Sequence, residues 1–243
     1  MKICVIELAG VDVDLFGDER LANLRRLMDV GLYGKLKPAG GAASDRSTTA
    51  RLALWPSLAG ACRQALMMGG AQSSQSGGPE SISVSATAPG TPLARWTIFI
   101  DQLMNPDWDY LHFVDCTLAS VGNTTHVAQS PESDSSLFLD EQIGRVLEML
   151  DDQTALLIIG GVPAQDNHSF FLLAAPNCPI SGEFEAACLY DLAPTLLDLA
   201  GLPGPNGHRG QSLVAGLEKR SPNEPSVDHE RIVLDRLAGL GYV

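Results

Sequence analysis

Among the side chains of this chain able to move protons or hold a metal ion, four recur near the ends of apolar runs. Glu7 lies in the first of them, "ICVIEL", and Asp115 ends a second, "DYLHFVD", with Cys116 beside it. Asp166 and His168 follow a third, "ALLIIGG", across the turn "GGVP". Carboxylates and an imidazole gathered at the ends of parallel strands are what a hard or borderline divalent cation requires. Asp115, Asp166 and His168 are the cluster from which a metal site can be drawn, with Glu7 as a possible addition. The competing reading, polar side chains solvated in loops, is the favoured one. For Glu7 it is a carboxylate paired within the sheet. Asp12 and Asp14 read as turn caps. His112, in mid-strand, reads as a core or pairing residue, and His126, His208 and His229 have no partner at ligand spacing.

These side chains need elements to position them, and the apolar pattern supplies those elements. "ICVIEL", "LYGKLKP", "DYLHFVD", "ALLIIGG" and "SFFLLAAP" read as strands. "ANLRRLMDVG" reads as a helix with Leu21, Leu24, Leu27 and Met28 in one stripe and Gly31 closing it. "RWTIFIDQLM" is helical through Trp96, Phe99, Ile100 and Leu103. The clearest helix carries Leu139, Ile143, Val146, Leu147 and Leu150. In "YDLAPTLLDLAGLPGP" Asp191 is read as the cap, Pro194 as a first-turn residue and Gly201 as the stop. "SVDHERIVLDRLAGLGYV" reads as a final amphipathic helix. "TTARLALWPSLAG" has helical spacing interrupted by Pro56. Residues 69–91, rich in Gly, Ser, Pro and Thr, read as a flexible loop within one domain spanning 1–243. Strands alternating with helices predict an α/β fold, a central mostly parallel sheet covered on both faces.

Composition excludes several function classes. The net charge is −13, and between Arg63 and Arg209 the basic residues are Arg95 and Arg145 alone, against seventeen acids. Nucleic acid is not an expected partner, because phosphate contacts need Lys and Arg. No run of eighteen apolar residues exists to span a bilayer, and "MKICVIELAG" has too short an apolar segment for a signal peptide. A cytoplasmic protein is expected. The five cysteines show no CxxC spacing and read as small buried hydrophobes.

Four segments in order carry a resemblance. "ANLRRLMDVGLYGKLKP" resembles "pNL.rLm.eGa.g.l.p" of the alkaline phosphatase superfamily, in its sulfatase-like and type I phosphodiesterase/nucleotide pyrophosphatase branches. "YDLAPTLLDLAGLPGP" followed by "RGQSL" is similar to its "yDlaPTlL.llGlp.p…dGrSL", and "RLAGLGYV" to a terminal "rLkaLGYv". The resemblance implies an alkaline phosphatase-like αβα core without an elaborate cap. It also implies one or two divalent metals at the strand ends, held by Asp and His, and a Ser, Thr or formylglycine nucleophile. This chain departs from that pattern. Ala9 stands where a "GLDG" Asp is implied, Ala119 and Asn123 where "DSxGH" supplies Asp and His, and Gly161 and Val162 where "SDHG" supplies Asp and His. The nucleophile position falls at Ala50, with Thr49 one residue away, and no Cys lies there for a formylglycine.

The expectation is therefore a catalytically degenerate domain, without cofactor, that binds a protein or small-molecule ligand. The alternative is a metal-dependent phosphoesterase, Zn or Mn, with a site rebuilt from Asp115, Asp166, His168 and Glu7 and Thr49 as nucleophile. A third reading is a subunit that joins an active relative through its strand-end face.

Overall fold

The structure, a computed structural model, describes residues 1–9, 11–37, 81–84 (by backbone), 91–115, 135–160, 169–176, 178–185, 187–202 and 210–215. Lys2–Leu8 forms strand β1, followed by a 3-10 turn at Val13–Gly17, helix α1 (Ala22–Val30) and strand β2 (Leu32–Lys35). Then come β3 (Ser81–Val84), α2 (Pro92–Leu103), β4 (Tyr110–Asp115), α3 (Ser135–Met149) and β5 (Thr154–Gly160). The last elements are β6 (Phe170–Ala174), β7 (Gly182–Glu183) and α4 (Leu189–Leu199).

The strands make one seven-stranded sheet in the order β3-β4-β1-β5-β6-β2-β7. β3, β4, β1 and β5 are mutually parallel, and β7 is parallel to β2. β6 alone runs the other way, antiparallel to both its neighbours. Alternation in β1 sends Cys4, Ile6 and Leu8 to the face covered by α1, α2 and α3. Ile3 and Val5 go to the face covered by α4. The fold is the three-layer α/β arrangement expected. One reading is corrected. Ser81–Val84, "SISV", falls in the stretch assigned to a loop, yet pairs with Tyr110–Phe113 as an edge strand. A four-residue strand borrows its stability from its neighbour's backbone, so composition alone hides it.

α1 lacks a side-chain cap of its own at Leu21. Its cap comes from α3. The buried Asp140 carboxylate accepts from the backbone N–H of Leu24 at 2.8 Å and of Asn23 at 3.2 Å, and from Asn23 Nδ2 at 3.1 Å. Gly144, one turn on, makes room, since a Cβ there would lie 2.6 Å from Asn23 Nδ2. Gly31 does cap α1, but with extended φ (−101°). It is glycine because a Cβ would meet the Leu173 and Leu27 carbonyls at 2.8 and 2.9 Å.

α4 begins at Leu189, earlier than the expected cap, so Pro194 lies inside the helix and not in its first turn. Asp191 sits one turn in, where its carboxylate accepts from the N–H of Cys188 at 2.8 Å. Gly201 (φ 70°) closes the helix, with Leu202 N–H bonded to the Leu197 carbonyl and Gly201 N–H to that of Asp198. The two segments with the most specific resemblance bind each other. Asp191 also accepts from Gln211 N–H (2.9 Å), Thr195 Oγ1 accepts from Leu213 N–H (2.9 Å), and Ser212 Oγ donates to Asp198 (2.8 Å). Spacing i, i+4, i+7 puts these three residues on one stripe of α4. Pro194 offers no N–H to the Tyr190 carbonyl, and Gly210 packs against that carbonyl, where a Cβ would overlap it.

Asp140→Ala should lower stability in urea denaturation by about 2–4 kcal/mol, because buried donors at a helix start lose a charged acceptor. Gly144→Ala, which ordinary helix propensity favours by about 1 kcal/mol, should destabilise instead. A neutral or stabilising result for Gly144→Ala would show that Asn23 and Asp140 do not lock α1 to α3.

Candidate functional site

The C-terminal ends of β1, β4 and β5 lie side by side, with Leu8 opposite Asp115 on one side and Gly160 on the other. The Ala9 N–H extends the ladder to the Asp115 carbonyl at 2.8 Å. Crevices outside the carboxyl ends of strands are where open α/β sheets place ligands, so this mouth is the candidate site. Ala9 brings no donor atom to it beyond its backbone. Gly160 has a packing reason for its type, because a Cβ there would strike the ring of Phe170, its partner on β6.

The two acids described at the mouth face opposite sides of the sheet. Asp115, 3% exposed, follows Leu111 and Phe113 toward the α2 layer. There the guanidinium of Arg95, in the first turn of α2, stands 3.7 Å from its carboxylate. Glu7, 9% exposed, follows Ile3 and Val5 toward the α4 layer. Its carboxylate lies 3.8 Å from Nε2 of His112, itself on the face of Tyr110. Both separations are longer than hydrogen bonds. β1 is central in the sheet, which makes Glu7 a carboxylate buried in mid-sheet rather than at an edge.

A divalent ion needs several donors converging at about 2.0–2.2 Å. Glu7 and Asp115 cannot converge, since the sheet lies between their carboxylates, and Asp115 already faces a cation. Among the described residues no three His, Cys, Asp or Glu side chains come together as such a group. Thr49, Ala119, Asn123, Gly161, Val162, Asp166 and His168 lie outside the described residues. Sequence reasoning did not single out Arg95 beyond its scarcity. An isolated basic residue in an acidic stretch, four residues into a helix that precedes a strand ending in Asp, was the available signal.

At Cys4 and Cys188 thiol chemistry gets no help from the environment. Burial pushes the Cys4 thiol well above its usual range. Cys188, at the cap of α4, is also raised, by burial and by the neighbouring Asp191 carboxylate. Thiolates, not thiols, are nucleophiles. Asp12 caps the 3-10 turn by accepting from Asp14 N–H at 3.1 Å. At the other end of that turn, hydrogen bonds from Arg20 hold the Asp18 carboxyl down to about 2.

The chain matches no family model, and no curated protein matches it in sequence. Among solved structures it is similar to a phosphonate monoester hydrolase from Silicibacter pomeroyi, with a TM-score of 0.48 and 14% identity over 87% of this chain and 75% of that one. A likeness so slight assigns neither family nor activity. No helix among the described residues is long and apolar enough to cross a membrane.

Arg95→Met removes a cation that faces the buried Asp115 carboxylate, and stability should fall by about 2–4 kcal/mol. Adding Asp115→Asn to that variant should recover at least half of the loss. Strictly additive losses in the double variant would mean that the two residues are not coupled.

Proposed function

We propose that this chain is a catalytically degenerate alkaline phosphatase/sulfatase-like domain, cytoplasmic, that binds a protein or small-molecule ligand instead of hydrolysing an ester. The reading rests on the four ordered segments of resemblance together with the chemistry of the mouth. One observation carries it. Asp115, the acid on the α2 face of the strand ends, is opposed by the Arg95 guanidinium at 3.7 Å, where a metal-dependent hydrolase needs a carboxylate open to an ion. In such a hydrolase the bound ion neutralises the charge that develops in phosphoryl or sulfuryl transfer. Arg95 does not serve that purpose, because Asp115 holds its charge. The acidic surface disfavours polyanions as ligands, which leaves neutral or cationic small molecules and protein surfaces.

The rebuilt-site hydrolase is the outcome that would displace this reading. After stripping with chelator, Zn²⁺, Mn²⁺ or Mg²⁺ should shift the melting temperature by less than about 1 °C. An ion at one hundred times its Kd stabilises by about 2.7 kcal/mol. At roughly 2–4 °C per kcal/mol for a chain of this size, a working site gives at least about 5 °C. Turnover of p-nitrophenyl phosphate, phosphodiester and sulfate should stay at blank. An ion-dependent rise lost in Asp115→Ala would establish the metal-dependent phosphoesterase.

A further inference from the structure

Opposite the mouth, where β5 begins at Thr154 and antiparallel β6 ends at Ala174, the last turns of α1 and α3 border a groove of about 350 Å³. Leu27, Val30, Leu147, Leu150, Ala175 and Pro176 line it. Val30 is 58% exposed, and Met149, the last residue of α3, is 40% exposed. Large apolar side chains left in water around an apolar recess mark a contact site rather than ordinary surface.

Charge decides what this recess fits. Arg26 lines it from α1 and Asp152 from the turn after α3, and both are exposed. Among the described residues neither side chain makes a hydrogen bond or an ion pair. The acid does not stand alone, because α3 ends in Glu148 and Met149, with Asp151 and Asp152 next. No basic residue lies in the last turn of α3. A helix C-terminus is the negative pole of its dipole, so acids gathered there are stabilised by a cation brought from elsewhere. One groove thus presents a cation and an anionic helix end that do not pair with each other. A surface carrying both halves of a complementary pair is self-complementary, and a twofold axis then makes each contact twice. A purely anionic or purely cationic ligand would meet like charge on one side. A small zwitterion would answer both charges but leave Val30 and Met149 in water.

We propose that two copies of this chain associate through the groove about a twofold axis. Val30 of each copy packs against the partner's Leu147 and Leu150, and Arg26 of each faces the partner's Asp152. The inference concerns the edge of the sheet opposite the mouth and stands whatever the mouth binds. In sedimentation velocity the full chain should run as a dimer that dissociates on dilution. Arg26→Asp and Asp152→Arg, both changes at exposed positions, should each weaken association at least tenfold, because like charges then oppose each other at both contacts. Mixed in equal amounts, the two variants should form a heterodimer as tight as the wild-type dimer, since each contact again joins opposite charges. Recovery on mixing also shows that both variants are folded. A wild-type chain still monomeric at about 100 μM, where even a weak dimer of Kd about 10 μM would be mostly formed, would overturn the proposal and give the groove to a different partner. Variants that dimerise as well as the wild type would overturn it too, as would a mixture no more associated than its components.

Discussion

β1 is hydrogen-bonded in parallel on both edges, to β4 and to β5, and buried on both faces. A strand so placed can carry almost no polar side chain, because each one must be satisfied without water. That constraint governs the rest of the molecule. It demands helices on both faces, so that Ile6 and Leu8 meet α1, α2 and α3 while Ile3 and Val5 meet α4. It also demands that Glu7, the acid within β1, find a partner inside the protein, and His112 of the adjacent strand stands next to it.

The same two-sidedness shapes the strand ends. Adjacent residues of a strand point to opposite faces, so acids close together in the sheet are far apart in chemistry. Glu7 and Asp115 belong to neighbouring strands, yet Asp115 faces the Arg95 guanidinium of α2 while Glu7 lies beside the His112 imidazole of β4 on the other face. The Arg95–Asp115 pair holds charge in place, and such a buried pair is costly to break from one side.

The outer layers are fastened by carboxylates in another role. Asp140 caps α1 from α3, and Asp191 takes N–H groups both from the start of α4 and from Gln211. The acidic balance of the chain thus includes acids used as acceptors for backbone ends. Thr195 and Asp198 extend the second clasp, which explains physically why "YDLAPTLLDLAG" and "RGQSL" read as a unit although they are separated in sequence.

Most of the layout was legible in the chain itself. The strands at 3–8 and 154–160, the stripe Leu139–Ile143–Val146 and the stop at Gly201 follow from apolar period and from glycine's access to positive φ, and both are local properties. The four-residue strand Ser81–Val84 was not legible, because its reason to exist is the edge of β4. Nor was the start of α4 at Leu189, since Asp191 works equally well as a cap or one turn in, and Pro194 is tolerated where Gly210 packs on the Tyr190 carbonyl. The sequence by itself determined which residues are apolar with which period, and hence the α/β layers. Only the tertiary structure decided that Arg95 faces Asp115, that Glu7 turns away from it, and that Asp140 ends up at the start of α1. Those are contacts between distant residues, and a side chain's partner depends on which face and which neighbour it is given, which no local pattern records.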